Sequence, residues 1–385
     1  MPERSSRILV QTELFPPLLC GEGVFARNLS KGLAGCGHRV LVVTSSLHGG
    51  YEVERDGELE IHRLPSVRNP LYPTFRLSIP SKARLQAILD GFRPDAVQVN
   101  NPSWAGERIL SWAKAHGVRS VASHHYHPAT LWGNHPWLRP FAGILGRLAA
   151  KSMTKFYQRA DAVTAPSVYA AGRLEEYGLA GVVPVSNGVD LDRFHPIRKD
   201  AGMFAKWGVP AGARVILHHG RLYRSKRVDL ILRAFAGMPE NVWLVVSGDG
   251  PDRNRLEKIA PDRTRFVGHV NDETLPALYA CADLFAIASP LELQGIVVLE
   301  AMASGLGVVS VAAGALPELV VDGTNGFLCA KDSVEGFRTN LLMALERSLE
   351  LGSGARSMAL AHGLSSTVER FEALLAKPQV GTRCQ

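Results

Sequence analysis

Short runs of apolar residues, rich in Val and Ile, alternate along the chain with longer stretches of helical periodicity. In the first half these runs cover residues 8–11, 40–44, 96–99, 120–122 and 162–165. A second series then covers residues 215–218, 242–246, 265–267, 284–286 and 308–311. Apolar strands that alternate with helical segments are typical of βα units and a parallel sheet. Because the pattern restarts, we predict two doubly wound, Rossmann-like α/β domains.

A turn-rich segment, residues 184–196, separates the two series and predicts a hinge between the domains. The predicted domains are therefore residues 1–185 and 186–364. The last helical stretch, residues 365–376, is compatible with either domain, and we assign residues 365–385 as a segment able to pack back on the first. A chain of 385 residues with 46% hydrophobic content is long enough to bury two such cores.

Charge and cysteine content narrow the class of protein. Lys and Arg outnumber Asp and Glu by 21 to 14 in residues 1–185 and balance them, 22 to 22, in the remainder. No helix-turn-helix, zinc-finger or RNA-recognition pattern accompanies the basic half, so we expect no nucleic-acid partner. The five cysteines are scattered without a C-x-x-C pair, so we expect reduced thiols rather than a disulfide framework or a zinc site. Neither a signal peptide nor an eighteen-residue apolar run is evident, and we expect a cytoplasmic protein.

The loop after the first predicted strand contains two prolines and then Gly21 and Gly23 before a helix predicted to begin near Val24. Gly21-x-Gly23-x-x-Ala26 formally fits a dinucleotide fingerprint. That fingerprint requires its first glycine directly after the strand and an acidic residue after the second strand, and the chain has neither. The pattern therefore argues against a nicotinamide or flavin enzyme.

Two loops of the second half carry charged residues at predicted strand ends. Residues 215–218 lead into Gly220, Arg221 and Lys226, an arrangement that suits a diphosphate but also fits a solvated basic turn. Further on, Glu292 and Glu300 stand eight positions apart around Gly295, which opens a predicted helix. Free amides at a helix start favour anions, while carboxylates there are also ordinary partners of the helix dipole.

These elements resemble the retaining GT-B glycosyltransferases of the group 1 / family 4 type. The match includes Gly220-Arg221-Leu222-x-x-x-Lys226 and Glu292-x7-Glu300, in the family's order and spacing. It continues in the proline-rich first loop, in Asn187-Gly188 at the hinge and in Phe266-Val267-Gly268. The resemblance implies a GT-B fold, two Rossmann-like domains facing across a cleft, with the donor held by the C-terminal domain.

The resemblance also implies roles for individual residues. Arg221 and Lys226 would bind the donor diphosphate and stabilise the leaving group in place of a metal. Glu300 would hold the ribose hydroxyls and Glu292 the sugar hydroxyls. His125 matches the histidine that such enzymes place beside the transferred sugar. The other implied donor-binding positions are Gly21, Gly23, Val267, Gly295, Ile296 and Val297.

Several positions depart from the family pattern. Gln294 stands where phenylalanine is common, Gly307 replaces a proline, Glu22 interrupts paired glycines and Arg227 replaces a glycine. None of these changes removes a charged donor contact. Gln294 is compatible either with a hydrogen bond to the sugar or with altered donor choice.

Metal chemistry has two formal candidates in the sequence. His124, His125 and His127 lie within four residues of each other, but no nearby carboxylate completes a recognisable ligand pattern. Asp190-Leu191-Asp192 forms a D-x-D triplet, but it lies in the hinge. We therefore predict no metal site and no cofactor beyond a nucleoside-diphosphate sugar as donor substrate.

The stretch from residue 132 to 159 mixes large apolar residues with Arg139, Arg147, Lys151, Lys155 and Arg159. A basic amphipathic helix can lie on anionic lipid, although an ordinary surface helix packed on the sheet has the same pattern. We predict a retaining, metal-independent glycosyltransferase that moves a hexose to a lipid-linked or cell-envelope glycan acceptor, with peripheral contact at the inner face of the membrane. The alternatives are a sugar-nucleotide epimerase and a non-catalytic sugar-nucleotide-binding protein.

Overall fold

The computed structural model describes residues 5–17, 20–71, 75–197 and 202–376. Contacts divide the chain into two units. The first contains residues up to Tyr126, Ile144–Ser186 and the residues from Leu364, and the second contains His127–Gly143 and Asn187–Gly363. The segment His127–Gly143, which the sequence pattern placed in the first domain, groups with the second unit.

The first unit is built on a mainly parallel sheet. Its strands are β1 (Arg7–Gln11), β2 (Arg39–Ser45), β3 (Glu52–Asp56), β4 (Leu59–Leu64), β5 (Ser66–Arg68), β6 (Arg76–Ser78), β7 (Ala96–Val99), β8 (Arg119–Ser123), β9 (Ala162–Ala165) and β10 (Val183–Pro184). Within the described residues the main sheet has the order β10-β9-β8-β7-β1-β2-β4-β3, and β5 pairs separately with β6. All neighbours in the main sheet are parallel except β3 and β4.

Helices connect these strands. They are α1 (Gly21–Gly35), α2 (Lys82–Phe92), α3 (Trp104–His116), α5 (Ala142–Tyr157) and α6 (Val168–Glu176). The helix α4 (Ala129–Asn134) follows β8 in the chain but belongs to the second unit. Serine side chains at positions 81, 103 and 167 accept a backbone N–H of the first turn of α2, α3 and α6. These contacts satisfy donors that a helix cannot pair internally and so define where the helices begin.

The second unit has a parallel sheet of its own. Its strands are β11 (Arg214–His219), β12 (Val242–Ser247), β13 (Thr264–Gly268), β14 (Leu284–Ile287), β15 (Gly307–Val311) and β16 (Gly326–Cys329). Its helices are α7 (Val228–Phe235), α8 (Arg253–Ile259), α9 (Leu275–Ala280), α10 (Ile296–Ala303), α11 (Leu316–Leu319), α12 (Val334–Glu346) and α13 (Ser348–Leu360). The central strands are buried on both faces, which explains their near-continuous apolar sequence.

The helix α14 (Leu364–Leu375) belongs to the first unit, where it packs on α1. The Phe371 and Phe25 rings lie 5.5 Å apart, and Glu372 contacts His38 at 2.9 Å. At Gly32 an added Cβ would lie 2.3 Å from a methyl carbon of Val368, so α1 and α14 approach too closely for a larger residue. The C-terminal helix is therefore a component of the first unit's core.

Strand order locates the expected ligand site of the second unit. Among the described residues the sheet has the order β13-β12-β11-β14-β15-β16. The strands from β11 to β13 therefore extend the sheet in one direction, and those from β14 to β16 extend it in the other. Ligands of doubly wound sheets bind at the carboxyl ends of the two strands that flank such a reversal. The loop after β11 carries Arg221 and Lys226, and the loop after β14 carries Glu292.

No helix in the described part of the chain is long and apolar enough to cross a membrane.

Candidate functional site

The turn after β11 lies directly against the turn after β12. The Leu222 N–H donates to the Asp249 carbonyl at 2.9 Å. An added Cβ would lie 2.0 Å from the Gly220 oxygen at Gly248 and 2.4 Å from the Leu222 oxygen at Gly250. Only glycine permits this approach. The two glycines thus hold the loop that carries the predicted diphosphate-binding cations.

Lys226 and Glu292 meet at this end of the sheet. Lys226 lies at the end of a short 3₁₀ helix, Arg224–Lys226, and its Nζ is 2.5 Å from Glu292 Oε1. Their side chains are 29% and 12% exposed, so the pair is largely sheltered from water. Two of the residues predicted from separate motifs therefore form one ion pair.

Cations determine the protonation state of Glu292. Burial alone would raise the pKa of its carboxyl, but the adjacent Lys226 ammonium and the Arg221 guanidinium outweigh burial and lower it. Glu292 is consequently an anion at neutral pH. Its backbone is held by the loop after β15, where the Ala315 N–H donates to the Glu292 carbonyl at 3.0 Å and Gly314 packs on the Glu292 backbone.

The start of α10 presents backbone amides a few residues after Glu292 in the chain. Gly295 has φ of 94°, which favours glycine, and the helix begins at Ile296. The amides of Ile296 and Val297 stand in the first turn, where helix geometry provides no internal acceptor. This first turn is suited to an anionic group of a ligand.

Gln294 has a structural contact. Its side-chain oxygen accepts the Asn187 N–H at 2.9 Å, and the residue is 3% exposed. The side-chain oxygen of Gln294 therefore binds the backbone at the start of the second unit rather than pointing to a ligand. The expectation that Gln294 contacts the sugar receives no support from this hydrogen bond.

Glu300 lies in the interior of α10 and is 5% exposed. The Tyr279 hydroxyl donates to Glu300 Oε2 at 3.0 Å. Burial raises the pKa of Glu300 to about 7, against the opposing effects of the Tyr279 hydrogen bond and the Arg193 charge. Tyr279 could not be selected from the sequence, because the contact joins residues on different helices, α9 and α10.

The raised pKa of Glu300 predicts a pH-dependent cost to stability. The folded state holds the Glu300 proton more tightly than the unfolded state does, so the protonated carboxyl contributes to stability. This contribution is complete below pH 4.5, the ordinary pKa of the group, and is lost as pH rises through about 7. Glu300→Gln cannot ionise. We expect it to raise the free energy of unfolding at pH 8 by up to about 3 kcal/mol, with little change at pH 5.

Urea unfolding at the two pH values measures this difference. Glu240→Gln, at an exposed position of the same unit, is the matched control and should show no pH-dependent gain. An equal effect of Glu300→Gln at pH 5 and pH 8 would contradict the assigned protonation.

Two histidines outside the predicted site residues, His218 and His219, precede Gly220. His218 Nδ1 donates to the Ala286 carbonyl at 2.9 Å, and burial lowers the pKa of His218 to about 4. The ring is therefore neutral and its Nε2 carries no hydrogen. This Nε2 is buried and has no hydrogen-bond partner within the described ranges. The sequence signal that could have identified His218 is the pair of adjacent histidines directly before the Gly-Arg dipeptide.

Val267 lies in β13, one residue before the end of that strand, and is partly buried against the core. Gly268 follows it with φ of 68°, and the Gly268 carbonyl accepts the Gly248 N–H at 2.7 Å. The end of β13 is therefore tied to the turn after β12. This places Val267 at the same end of the sheet as the loop of Arg221.

In the first unit, α1 begins at Gly21 rather than near Val24. Cys20 is the N-cap, and its Sγ accepts the Gly23 N–H at 3.4 Å. Gly23 is buried and Gly21 is exposed. Glu22 accepts a hydrogen bond from the Thr12 hydroxyl at 2.8 Å. The two glycines thus form the first helical turn, with the Gly23 amide already bonded within the protein.

The three neighbouring histidines have different environments. His124 Nδ1 contacts the buried Tyr157 hydroxyl at 3.1 Å, and His127 Nδ1 accepts the Ala129 N–H at 3.1 Å. His125 packs on Phe25 with ring centroids 4.4 Å apart. Its Nε2 is buried without a hydrogen-bond partner in the part of the chain that the structure describes. Burial lowers the pKa of His125 to about 3, so the ring is neutral at physiological pH.

The formal metal candidates have structural roles. Asp190 Oδ1 accepts the backbone N–H groups of Asp192 and Arg193 at 3.1 and 2.8 Å, as a turn-forming aspartate does. His124 and His127 are engaged as described above. The described residues contain no group of three or more His, Cys, Asp or Glu residues arranged to hold a metal ion.

Two family models match the chain. Residues 20–193 match the model described as glycosyltransferase family 4, and residues 201–353 match the model described as glycosyl transferases group 1. Together they extend over both units.

Curated relatives align over most of the chain. A GDP-mannose-dependent alpha-mannosyltransferase of Mycobacterium tuberculosis is 31% identical, over 84% of this chain and 83% of the relative. A protein of the same name from Mycolicibacterium smegmatis is 29% identical over 96% and 98%. A GDP-mannose-dependent alpha-(1-6)-phosphatidylinositol dimannoside mannosyltransferase of M. tuberculosis is 28% identical over 82% and 81%.

Solved structures share the fold. Sucrose-phosphate synthase from Thermosynechococcus elongatus superposes with a TM-score of 0.79 at 19% identity, covering 96% of this chain and 98% of that one. WaaG, a glycosyltransferase involved in lipopolysaccharide biosynthesis, has a TM-score of 0.72 at 20% identity and covers 96% and 100%. These similarities show the GT-B fold.

Proposed function

Since the chain belongs to the group 1 / family 4 glycosyltransferases and is a nucleotide-sugar glycosyltransferase, we propose that it transfers a hexose, with retention and without a metal, to a lipid-linked acceptor. The observation that carries this proposal is the meeting of Lys226 and Glu292 at the carboxyl ends of β11 and β14. Arg221 belongs to the same loop, and the first turn of α10 follows Glu292. This set offers cations and amides to a diphosphate and a carboxylate to sugar hydroxyls.

The donor proposed is GDP-mannose. It is the donor named for several relatives that align over most of the chain. Glu300 is suited to the ribose hydroxyls, because its ionised carboxylate accepts hydrogen bonds from two neighbouring hydroxyl groups. Since its pKa is about 7, donor affinity should fall as pH drops below that value.

The leaving group is stabilised by the protein's own cations in this mechanism. Negative charge develops on the diphosphate as the glycosidic bond breaks, and Arg221 and Lys226 supply positive charge where it develops. Glu292 takes no proton, because its lowered pKa keeps it ionised. The acceptor hydroxyl attacks the face from which the diphosphate departs, and the leaving phosphate takes its proton. The anomeric configuration of the donor is thereby kept.

Relatives support retention indirectly. GDP-mannose carries mannose through an α linkage, and the relatives are named alpha-mannosyltransferases. An α product from an α donor corresponds to retention.

The direct test of the function combines transfer and stereochemistry. Purified protein is incubated with GDP-mannose and phosphatidylinositol vesicles in excess chelator, and the product is analysed by mass spectrometry and proton NMR. We expect an α-linked mannosyl lipid. Turnover of GDP-mannose without acceptor would instead indicate an epimerase or a hydrolase, and binding without turnover would indicate a binding protein.

The outer face of α5 supports peripheral contact with an anionic membrane. Ile144 and Leu148 are 55% and 60% exposed, one turn apart, and Arg147, Lys151 and Lys155 are exposed on the same helix. The later residues Met153, Phe156 and Tyr157 are buried, so the helix has a separate face for the core. Exposed apolar residues flanked by cations are suited to the headgroup region of anionic lipid. Such contact would hold the enzyme at the inner face of the membrane, near a lipid-linked acceptor.

Vesicle sedimentation tests this surface. Ile144→Glu with Leu148→Glu should weaken binding to vesicles containing phosphatidylglycerol by at least about 10-fold, because each apolar side chain contributes on the order of 1.5 kcal/mol when buried. Leu349→Glu is the matched control, since Leu349 is an exposed leucine on α13 of the second unit. Unchanged binding of the α5 variant, or an equal loss in the control, would contradict a specific role for α5.

A further inference from the structure

The last turn of α4 contacts the loop that carries Lys226, although α4 lies far from that loop in sequence. We propose that Asn134 is a positioning residue that holds the donor diphosphate loop in its binding geometry. The proposal rests on the donor site described under the proposed function. It assigns a role to a segment for which neither the sequence motifs nor the names of the relatives provide one.

The first supporting observation is a hydrogen bond. The Ser225 N–H donates to Asn134 Oδ1 at 3.1 Å. Ser225 is 9% exposed and is the middle residue of the 3₁₀ helix Arg224–Lys226. A helix this short cannot pair its own first amides. Loss of Asn134 would therefore leave a sheltered donor without its partner, which favours rearrangement of the turn.

The second observation is steric. An added Cβ at Gly133 would lie 3.5 Å from Ser225 Cβ and 3.6 Å from Leu291 Cδ1. Ser225 precedes Lys226, and Leu291 precedes Glu292 in the chain. A side chain at position 133 would thus contact the sequence neighbours of both members of the ion pair.

The start of α4 is anchored as well. The Thr130 hydroxyl donates to the His127 carbonyl at 2.8 Å, and the Ala129 N–H donates to His127 Nδ1 at 3.1 Å. These local bonds fix the helix at its first turn and Asn134 fixes it at its last. Hydrogen bonds therefore hold both ends of α4, and the bond at its last turn joins it to the 3₁₀ helix.

Asn134 is uncharged, and the proposal is that it affects diphosphate binding through the position of Lys226. Its removal should weaken binding of a diphosphate and leave binding of the nucleoside portion, at Glu300, unchanged. A general loss of structure would weaken both. The contrast between a nucleoside diphosphate and its nucleoside therefore separates positioning from structural damage.

The experiment is a double-mutant cycle in which ligand binding is measured by isothermal titration calorimetry. GDP, UDP and ADP are titrated into wild type, and the tightest ligand and its nucleoside are then titrated into Asn134→Ala, Lys226→Ala and the double variant. We expect Asn134→Ala to weaken the diphosphate by about 10-fold in the wild-type background and by less than about 2-fold once Lys226 is absent. Nucleoside affinity should stay the same throughout.

The matched control is Asn340→Ala. Asn340 lies on α12 and donates to the Leu328 carbonyl at 3.0 Å, so this variant also loses an asparagine bond to the backbone. It should leave both affinities unchanged. If Asn134→Ala does not fold, Gly133→Leu keeps Asn134 and crowds Ser225 and Leu291, and it should weaken the diphosphate at least about 3-fold.

Two results would overturn the proposal in distinguishable ways. Additive effects of Asn134→Ala and Lys226→Ala, or equal losses for diphosphate and nucleoside, would refute the positioning role and leave the proposed function intact. Failure of folded wild type to bind any of the three diphosphates would refute the proposed function and the positioning role together.

Discussion

Lys226→Ala is expected to reduce kcat for sugar transfer by about 10²- to 10³-fold. The Lys226 ammonium would stabilise the charge that develops on the leaving diphosphate, and loss of one such group typically has an effect of this size. The variant also leaves Glu292 buried beside one cation fewer, which should raise its pKa and destabilise the fold.

Initial-rate kinetics and urea unfolding separate these two consequences. Lys226→Ala combined with Glu292→Gln should recover stability without recovering kcat, because the buried charge is removed while the diphosphate still lacks its cation. Lys258→Ala, an exposed lysine of α8, is the control and should behave as wild type. A Lys226→Ala enzyme within 3-fold of wild type would refute the role assigned to this lysine.

The second large effect is expected at His125. His125→Ala should lower kcat by about 10²-fold if its unpartnered Nε2 bonds the transferred sugar, since removing a well-placed polar contact in a sheltered site is costly. Burial lowers the pKa of His125 to about 3, so the ring is neutral from pH 5 upward. The fold reduction in kcat caused by His125→Ala should therefore be the same at pH 6 and pH 8.

The pH dependence of the ratio of wild-type to His125→Ala rates provides the check. A ring with an ordinary histidine pKa would titrate between these two pH values and change the ratio. His116→Ala removes an exposed histidine of α3 and serves as the control. A ratio that changes severalfold between pH 6 and pH 8 would contradict the neutral ring, and a loss below 3-fold would contradict the contact.

The central strands were predictable because burial on both faces leaves a continuous apolar run. The predicted runs at 96–99 and 162–165 coincide with β7 and β9, and the other predicted runs lie within one or two residues of the observed strands. β3 was missed because its sequence, Glu-Val-Glu-Arg-Asp, is mostly charged at an edge of the sheet. β16 was missed because only four residues follow a glycine-rich turn.

The residues of the candidate site could be selected from the sequence as separate motifs, but their contacts with one another could not be predicted. Lys226 and Glu292 meet because β11 and β14, neighbours in the sheet, end side by side, and sheet order is not visible in periodicity. The grouping of α4 was not visible in the sequence for a related reason. It lies within the predicted first domain, residues 1–185, whereas its hydrogen bond to Ser225 joins it to the second unit.

The central claim is that Arg221 and Lys226 form a diphosphate site that functions without a metal. The most direct measurement is a thermal-shift panel of nucleoside diphosphates in excess chelator, on wild type and on the variant with Arg221→Ala and Lys226→Ala. A ligand that binds only the folded state raises the unfolding midpoint by mass action. For a metal-free site of this kind, a diphosphate should raise the midpoint of wild type and leave the variant unshifted. An absent shift in folded wild type, or a shift that chelator abolishes, would contradict it.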